Sequence, residues 1–288
     1  MKIILSRKGF DSANGGVASP ILPDDSLVPL PIPAESNGSG IAYGTLRARH
    51  GRLGDIVQDL TRGNYTRQDR AHLDPDLRAN TLTTRPDGWR PIFGQVNKAQ
   101  KHLVNKGVGR GDLFLFFGWF RRVELENGHY RFVRTERDIH VIFGWLQVAE
   151  ILPAGPSARA AAPRWAWYHP HFSPETKTWP ANTVYISRKT LTLPRLARRM
   201  PGAGVIEKFT ADLCLTAEGK SRSIWKLPRF FALTKLGSIL SYHDAKRWIV
   251  RPDCCYLKSV GRGQEFVIDA ERCPKVVRWA TELIERNG

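Results

Sequence analysis

The stretch that decides the fold runs from Gly111 to Leu152 and reads GDLFLFFGWFRRVELENGHYRFVRTERDIHVIFGWLQVAEIL. Short runs rich in Phe, Val, Ile and Trp, broken by turn residues at Asn127-Gly128, predict buried strands rather than helices. These strands are expected at the centre of a sheet. Phe-Gly-Trp occurs twice in it, at Phe117 to Trp119 and at Phe143 to Trp145. A glycine inside an apolar run predicts a bulge, a barrel corner or the close approach of another backbone.

The order of parts is a basic helix, a Gly-Asp turn, a strand, an Asn-Gly turn and strands ending in GWLQVAEI. Over about forty residues this order resembles the small β-barrel of the PUA, ASCH and EVE superfamily, whose members bind RNA or modified DNA bases. The other reading is an ordinary central sheet whose glycines relieve crowding. The expected class is therefore α+β: a mixed, mostly antiparallel sheet or a partly closed PUA-like β-barrel, flanked by helices. One domain is expected over residues 1–288, with a candidate internal boundary in the Ala, Gly and Pro-rich segment 153–163.

The charge says most about partners. Against 27 acidic residues the chain carries 44 Lys and Arg, a net charge of +17. Between Ala158 and Arg251 lie 17 basic and 5 acidic residues, so the excess is concentrated there. A polyanion is the expected partner, nucleic acid ahead of membrane because no basic amphipathic helix or anchor is visible. With 42% hydrophobic residues the chain can bury a core. The start, MKIIL, is too short an apolar run for a signal peptide or a span. Cys214, Cys254, Cys255 and Cys273 have no framework spacing and form no CxxC, so reduced thiols, a cytoplasmic location and no cysteine zinc site are expected.

Lys2 to Arg7 reads as a first strand. The loop after it, Lys8 to Gly16, is the first candidate site: Gly9, Gly15 and Gly16 permit close approach of a ligand, Lys8 supplies charge, and Asp11 and Ser12 supply an acid and a hydroxyl. It matches neither a Walker loop nor GxGxxG, and its alternative is a turn in which Asp11 and Ser12 bond their own backbone. The proline-rich segment 20–33 excludes helix. Helices are predicted over Leu53 to Leu60, Gln95 to Lys106 and Leu193 to Met200, and from Pro274 onward. His72, Asp74 and Asp76 can act as metal ligands or as turn residues.

The aromatic stretch Trp165 to Trp179 encloses His169 and His171. An extended His-x-His points both imidazoles to one face, although no third metal ligand is apparent nearby; base stacking or plain core packing are the other readings. Strands are predicted at Thr183 to Ser187, at Phe209 to Thr216 and after Gly263. Arg222, Trp225 and Lys226 combine phosphate-binding cations with a ring. Gln264 can bond a base edge and Glu265 can serve as a base.

Four segments resemble a known family as a set: Arg7 to Pro33, the FGWF strand, HPHF to NTVYIS, and SIWKLPRFF with VGRGQEFVID. Together they resemble the nucleotide modification associated domain 3 family, proteins placed among systems that hypermodify DNA bases. The resemblance implies a role beside nucleotide or DNA-base modification without naming a reaction or cofactor. It brings with it other proteins of such a system as partners. The site expected is Asp11 and Glu265 as acid or base, with Lys8, Ser12, Gly15, Gly16, His169, His171, Arg222, Trp225 and Gln264 around the substrate. Nucleic acid, DNA favoured, is expected on Arg188, Lys189, Arg195, Arg198, Arg199, Lys226 and Arg229. A non-catalytic PUA-like reader of modified bases and a metal-dependent nuclease using His169, His171, Asp74 and Asp76 are the alternatives.

Overall fold

In the computed structural model, which describes residues 1–34, 40–49, 51–232, 239–261, 263 and 265–288, the chain opens with β1 (Lys2–Arg7) and β2 (Ser19–Ile21). Four two-residue strands follow, β3 (Ile41–Ala42), β4 (Arg47–Ala48), β5 (Gly51–Arg52) and β6 (Arg70–Ala71), with helix α1 (Leu53–Leu60) ahead of the last. Then come β7 (Ile92–Gln95), α2 (Asn97–Asn105), and the long strands β8 (Leu113–Glu126) and β10 (Ile139–Pro153), with β9 (His129–Phe132) between them. The rest is β11 (Thr183–Ser187), β12 (Ala203–Val205), β13 (Ile224–Pro228), β14 (Trp248–Val250), β15 (Cys254–Lys258), β16 (Glu265–Asp269) and α3 (Lys275–Asn287).

The main sheet has the order β16-β1-β8-β10-β11-β7, with β2, β9 and β12 added at its flanks. Only β1 and β2 run parallel to β8; the other ladders of the sheet are antiparallel. The expectation from Gly111 to Leu152 holds: β8 and β10 are the central strands. Residues Leu113 to Phe117 are fully buried and show no alternation, because both faces of the sheet are covered. Phe114 and Phe116 stack on each other and meet Phe93 at ring-centroid distances of 5.0 and 5.3 Å. Phe117, on the other face, meets Trp225 at 5.1 Å. Each such ring contributes about 1.5–3 kcal/mol relative to exposure.

The two Phe-Gly-Trp glycines are where other backbones cross. A Cβ on Gly118 would sit 2.8 Å from the Lys8 carbonyl oxygen, and one on Gly144 would sit 2.9 Å from that of Gly204. The β8–β10 register also shifts between Ile142 and Gly144. Gly118 therefore lets the first loop lie directly on the end of β8.

The sheet is coiled but not closed into a barrel, so of the two expected architectures the open mixed sheet is the one formed. Among the described residues no backbone ladder joins the edge strands β7 and β16; side chains bridge them instead. Two local expectations fail. Leu193 to Met200 is irregular because Arg195 takes a left-handed φ of 63°, which no helix accommodates. Phe209 to Thr216 makes only isolated bridges at Cys214 and Thr216 around the 3-10 turn Ala211–Leu213. There Thr210 hydrogen-bonds Asp212, a local side-chain bond of the kind that competes with a ladder. Among the described residues no helix is long and apolar enough to cross a membrane, and all four cysteines are free.

Candidate functional site

The two edges of the coiled sheet meet at a polar seam. Ser6 near the end of β1 pairs in register with Glu265 at the start of β16, which puts Glu265, 1% exposed, under the first loop. Its Oε1 accepts hydrogen bonds from Gln95 Nε2 at the end of β7 (2.5 Å) and Ser6 Oγ (3.0 Å), and lies 3.3 Å from Lys8 Nζ. Its Oε2 is buried without a partner. The Lys8 ammonium also stands 4.5 Å over the Phe93 ring, a favourable place for a cation in a desolvated setting.

Beside this seam a second cluster is built on Asp74. Asp74 Oδ1 accepts the Gly94 backbone N–H at 2.7 Å and lies 3.3 Å from His169 Nε2. Its Oδ2 faces His171 Nε2 at 3.7 Å and His72 Nε2 at 3.9 Å. The His171 tautomer follows from Asn182. Asn182 Nδ2 donates to the His171 carbonyl (2.9 Å), so its Oδ1, 2.6 Å from His171 Nδ1, must accept from that nitrogen. Nδ1 therefore donates to Asn182, and Nε2 is the nitrogen that faces Asp74. Gly94 makes room for the ring, since a Cβ there would lie 2.3 Å from His171 Cδ2. Burial pushes the His72 pKa down to about 3, against the opposing pull of Asp74, so this imidazole is neutral. Burial likewise lowers that of His169. For Asp74, burial acts to raise the pKa but is outweighed by His169 and His171, and the carboxyl is held well below its ordinary range.

A cationic wall closes the far side. Arg222 stacks on Trp119 with its guanidinium carbon 4.1 Å from the ring centroid, and its buried Nη1 has no hydrogen-bond partner. Arg7, close enough to feel the Arg222 charge, donates to the carbonyls of Gly261 and Gly263. Burial lowers both guanidinium pKa values, with Asp11 opposing in each case. His140 accepts the Trp225 indole N–H on Nδ1 at 3.0 Å. Burial and then the two arginines push its pKa well down, so it is neutral with the proton on Nε2.

All three groups surround one cleft of about 710 Å³, lined among others by Arg7, Lys8, Asp11, Ser12, His72, Asp74, Gln95, Trp119, His140, His171, Trp179 and Arg222. It thus brings together Lys8, Asp11, Ser12, His171 and Arg222 of the expected site, with Glu265 and His169 directly beneath the lining. Gly15 and Gly16 shape the first loop from behind; a Cβ on Gly15 would lie 2.3 Å from the Phe10 ring. Asp11 Oδ1 accepts the backbone N–H groups of Ala13 and Asn14, each at 2.7 Å, so this carboxylate is engaged in its own turn. Trp225 is fully buried and reaches the cleft only through His140. Gln264 lies outside the described residues.

The expected nucleic-acid contacts Lys189, Arg195, Arg198, Arg199, Lys226 and Arg229 are exposed and Arg188 is half-buried; none lines the cleft. Asp76 does not join Asp74. Arg85 grips both its oxygens at 2.6 and 2.7 Å and Tyr168 donates to it at 2.5 Å. His169 and His171 do face one carboxylate, but through the 3-10 turn Pro170–Phe172 rather than an extended segment, since Pro170 supplies the fixed φ that starts such a turn. The sequence reading missed Asn182, Gly94 and Gln95 as parts of the site. The one signal available for Gly94 was a glycine inside an apolar strand, IFGQ.

A family model described as nucleotide modification associated domain 3 matches residues 2–269. No curated protein matches the chain, and no solved structure does. The match covers nearly the whole sequence, including every element that builds the cleft, and the chain belongs to the nucleotide modification associated domain 3 family.

Proposed function

We propose that the chain serves its nucleotide-modification system by holding a base or nucleotide in this cleft, while the nucleic-acid backbone, DNA in the favoured case, rests on exposed cations outside it. The observation that carries this reading is an arginine stacked on an aromatic ring at the cleft wall with one buried N–H group lacking a hydrogen bond. Arg222 Nη1 lacks a hydrogen bond although buried, a costly state that an anionic oxygen relieves. Trp119 beneath it offers a surface for a base released from its stack. Arg7 and Lys8 add positive charge from the loop side.

Glu265 is read as acting through Lys8, which lines the cleft, rather than by touching substrate itself; Asp11 is read as holding the loop's shape. Lys189, Arg195, Arg198, Arg199, Lys226 and Arg229 would take phosphates, with Arg188 behind them. Their contribution is sequence-independent and screened by salt.

The test is calorimetric titration of the full chain with deoxynucleoside monophosphates and with plain and modified oligonucleotides. Arg222→Ala should lose about 1–3 kcal/mol of affinity for each, and the salt slope should fall by about one. Saturable binding that is unchanged in Arg222→Ala would remove the cleft from the account. A strong preference for the modified oligonucleotide with no change in base content by mass spectrometry would favour the non-catalytic reader.

A further inference from the structure

The geometry points to a divalent transition-metal site made by His72 Nε2, Asp74 Oδ2 and His171 Nε2, with Asn182 and His169 as positioning residues. Each of the three side chains offers one donor atom within 4.8 Å of the other two, and among the described residues no other group of three or more His, Cys, Asp or Glu side chains does so. The inference deepens the reading of the cleft by naming its cofactor class, yet its test needs no nucleotide.

One oxygen of Asp74 is faced by two imidazole nitrogens. Asn182 engages His171 Nδ1 and leaves Nε2 as the ring nitrogen aimed at a carboxylate oxygen 3.7 Å away. A buried carboxylate oxygen faced by imidazole nitrogens is well placed to share a cation with them. His72 Nε2 approaches the same oxygen at 3.9 Å. Donors bound at about 2.0–2.1 Å around a tetrahedral ion stand about 3.4 Å apart, so each imidazole nitrogen needs to approach Asp74 Oδ2 by only a few tenths of an ångström.

The surroundings are those of a metal ligand shell. A ligating imidazole ordinarily donates its other N–H to a fixed acceptor, as His171 does to Asn182. A ligating carboxylate has its second oxygen held, as Asp74 Oδ1 is by the Gly94 N–H at 2.7 Å. His169 Nε2, buried and 3.3 Å from that oxygen, is outside hydrogen-bond geometry with it, so a small rotation of the carboxylate toward an ion can complete this contact. Two imidazoles and one carboxylate suit zinc, iron(II) or a neighbouring first-row ion rather than magnesium or calcium. His72, Asp74 and His171 all line the cleft, so remaining coordination positions would be available to a substrate oxygen or to water.

The test uses the full untagged chain, stripped with EDTA and titrated with Zn(II) by calorimetry and with Co(II) by visible absorption, nucleotide absent. One ion per chain is expected, with a Co(II) d–d spectrum of nitrogen and oxygen ligation. Asp74→Asn keeps the acceptor for Gly94 and should lose binding with its circular dichroism unchanged. His72→Ala, at the most exposed of the three ligands, should bind at least about tenfold more weakly, and it decides the matter if Asp74→Asn does not fold. Absence of saturable binding to the stripped wild type, as a plain His171–Asp74 ion pair would give, overturns the proposal. So does a loss of less than about tenfold in His72→Ala. Either result leaves nucleotide binding through Arg222 and Trp119 untouched.

Discussion

Replacing Gly94 by alanine tests the core of the site with one methyl group. The added Cβ would lie 2.3 Å from His171 Cδ2 and 2.4 Å from Nε2, whereas carbon contacts settle near about 3.5–4.0 Å. The imidazole must therefore retreat by more than about 1 Å, because the other party to the clash is the backbone of a paired strand. Retreat breaks the 2.6 Å bond to Asn182. Overpacking of this kind costs about 1–3 kcal/mol, and a buried polar group left unpaired costs about 1–3 kcal/mol more. Gly94→Ala should thus lose about 2–6 kcal/mol in urea unfolding. Gly109→Ala, where a Cβ meets nothing within 4 Å, should stay within about 0.5 kcal/mol of wild type. A Gly94→Ala chain as stable as the Gly109→Ala control, with an unshifted His171 ring resonance, would refute the packing argument.

Other outcomes follow from the same contacts. Glu265→Ala removes the buried partner of Lys8, and breaking such a pair should cost about 3–5 kcal/mol by denaturant unfolding; the double variant Lys8→Met/Glu265→Leu should recover part of that loss. His243 is buried, its Nε2 accepts the Val260 N–H, and burial pushes its pKa down to about 4. Since the unfolded chain binds the proton more readily, stability should fall as pH drops from about 6.5 through about 4, and the fall should be shallower in His243→Gln. Trp119→Ala should weaken nucleotide affinity by about 1–3 kcal/mol, the worth of one stacking platform, with little effect on the salt slope.

The parts of the molecule legible in sequence are those set by short-range pattern. The apolar runs of β8 and β10 were legible as buried strands, and of the bulge, barrel corner or backbone approach that the Phe-Gly-Trp glycines signalled, backbone crossings at Lys8 and Gly204 are what formed. The first loop, His171 and Arg222 were singled out by residue type and do share one cleft. Asp74 was ambiguous because Asp-Pro-Asp is equally good turn chemistry; what makes it a cluster centre is the coiling of the sheet, which brings β7 and the His169 to His171 turn around it. The same coiling joins Gln95 to Glu265 across strands at opposite edges of the sheet. Local alternation misled at Phe209 to Thr216, where side-chain hydrogen bonding defeats the ladder, and the basic run Leu193 to Met200 was taken for a helix although Arg195 turns left-handed.

Where the base goes is the central claim, and photocrosslinking measures it most directly. An oligonucleotide carrying a single photoreactive thymine analogue would be irradiated with the full chain, and the crosslinked peptide identified by mass spectrometry. The account predicts attachment at Trp119, at Trp179 or within Lys8 to Asn14, lost in Arg222→Ala. Attachment confined to Arg188 to Arg199 or to Lys226 to Arg229, unaffected by Arg222→Ala, would contradict it.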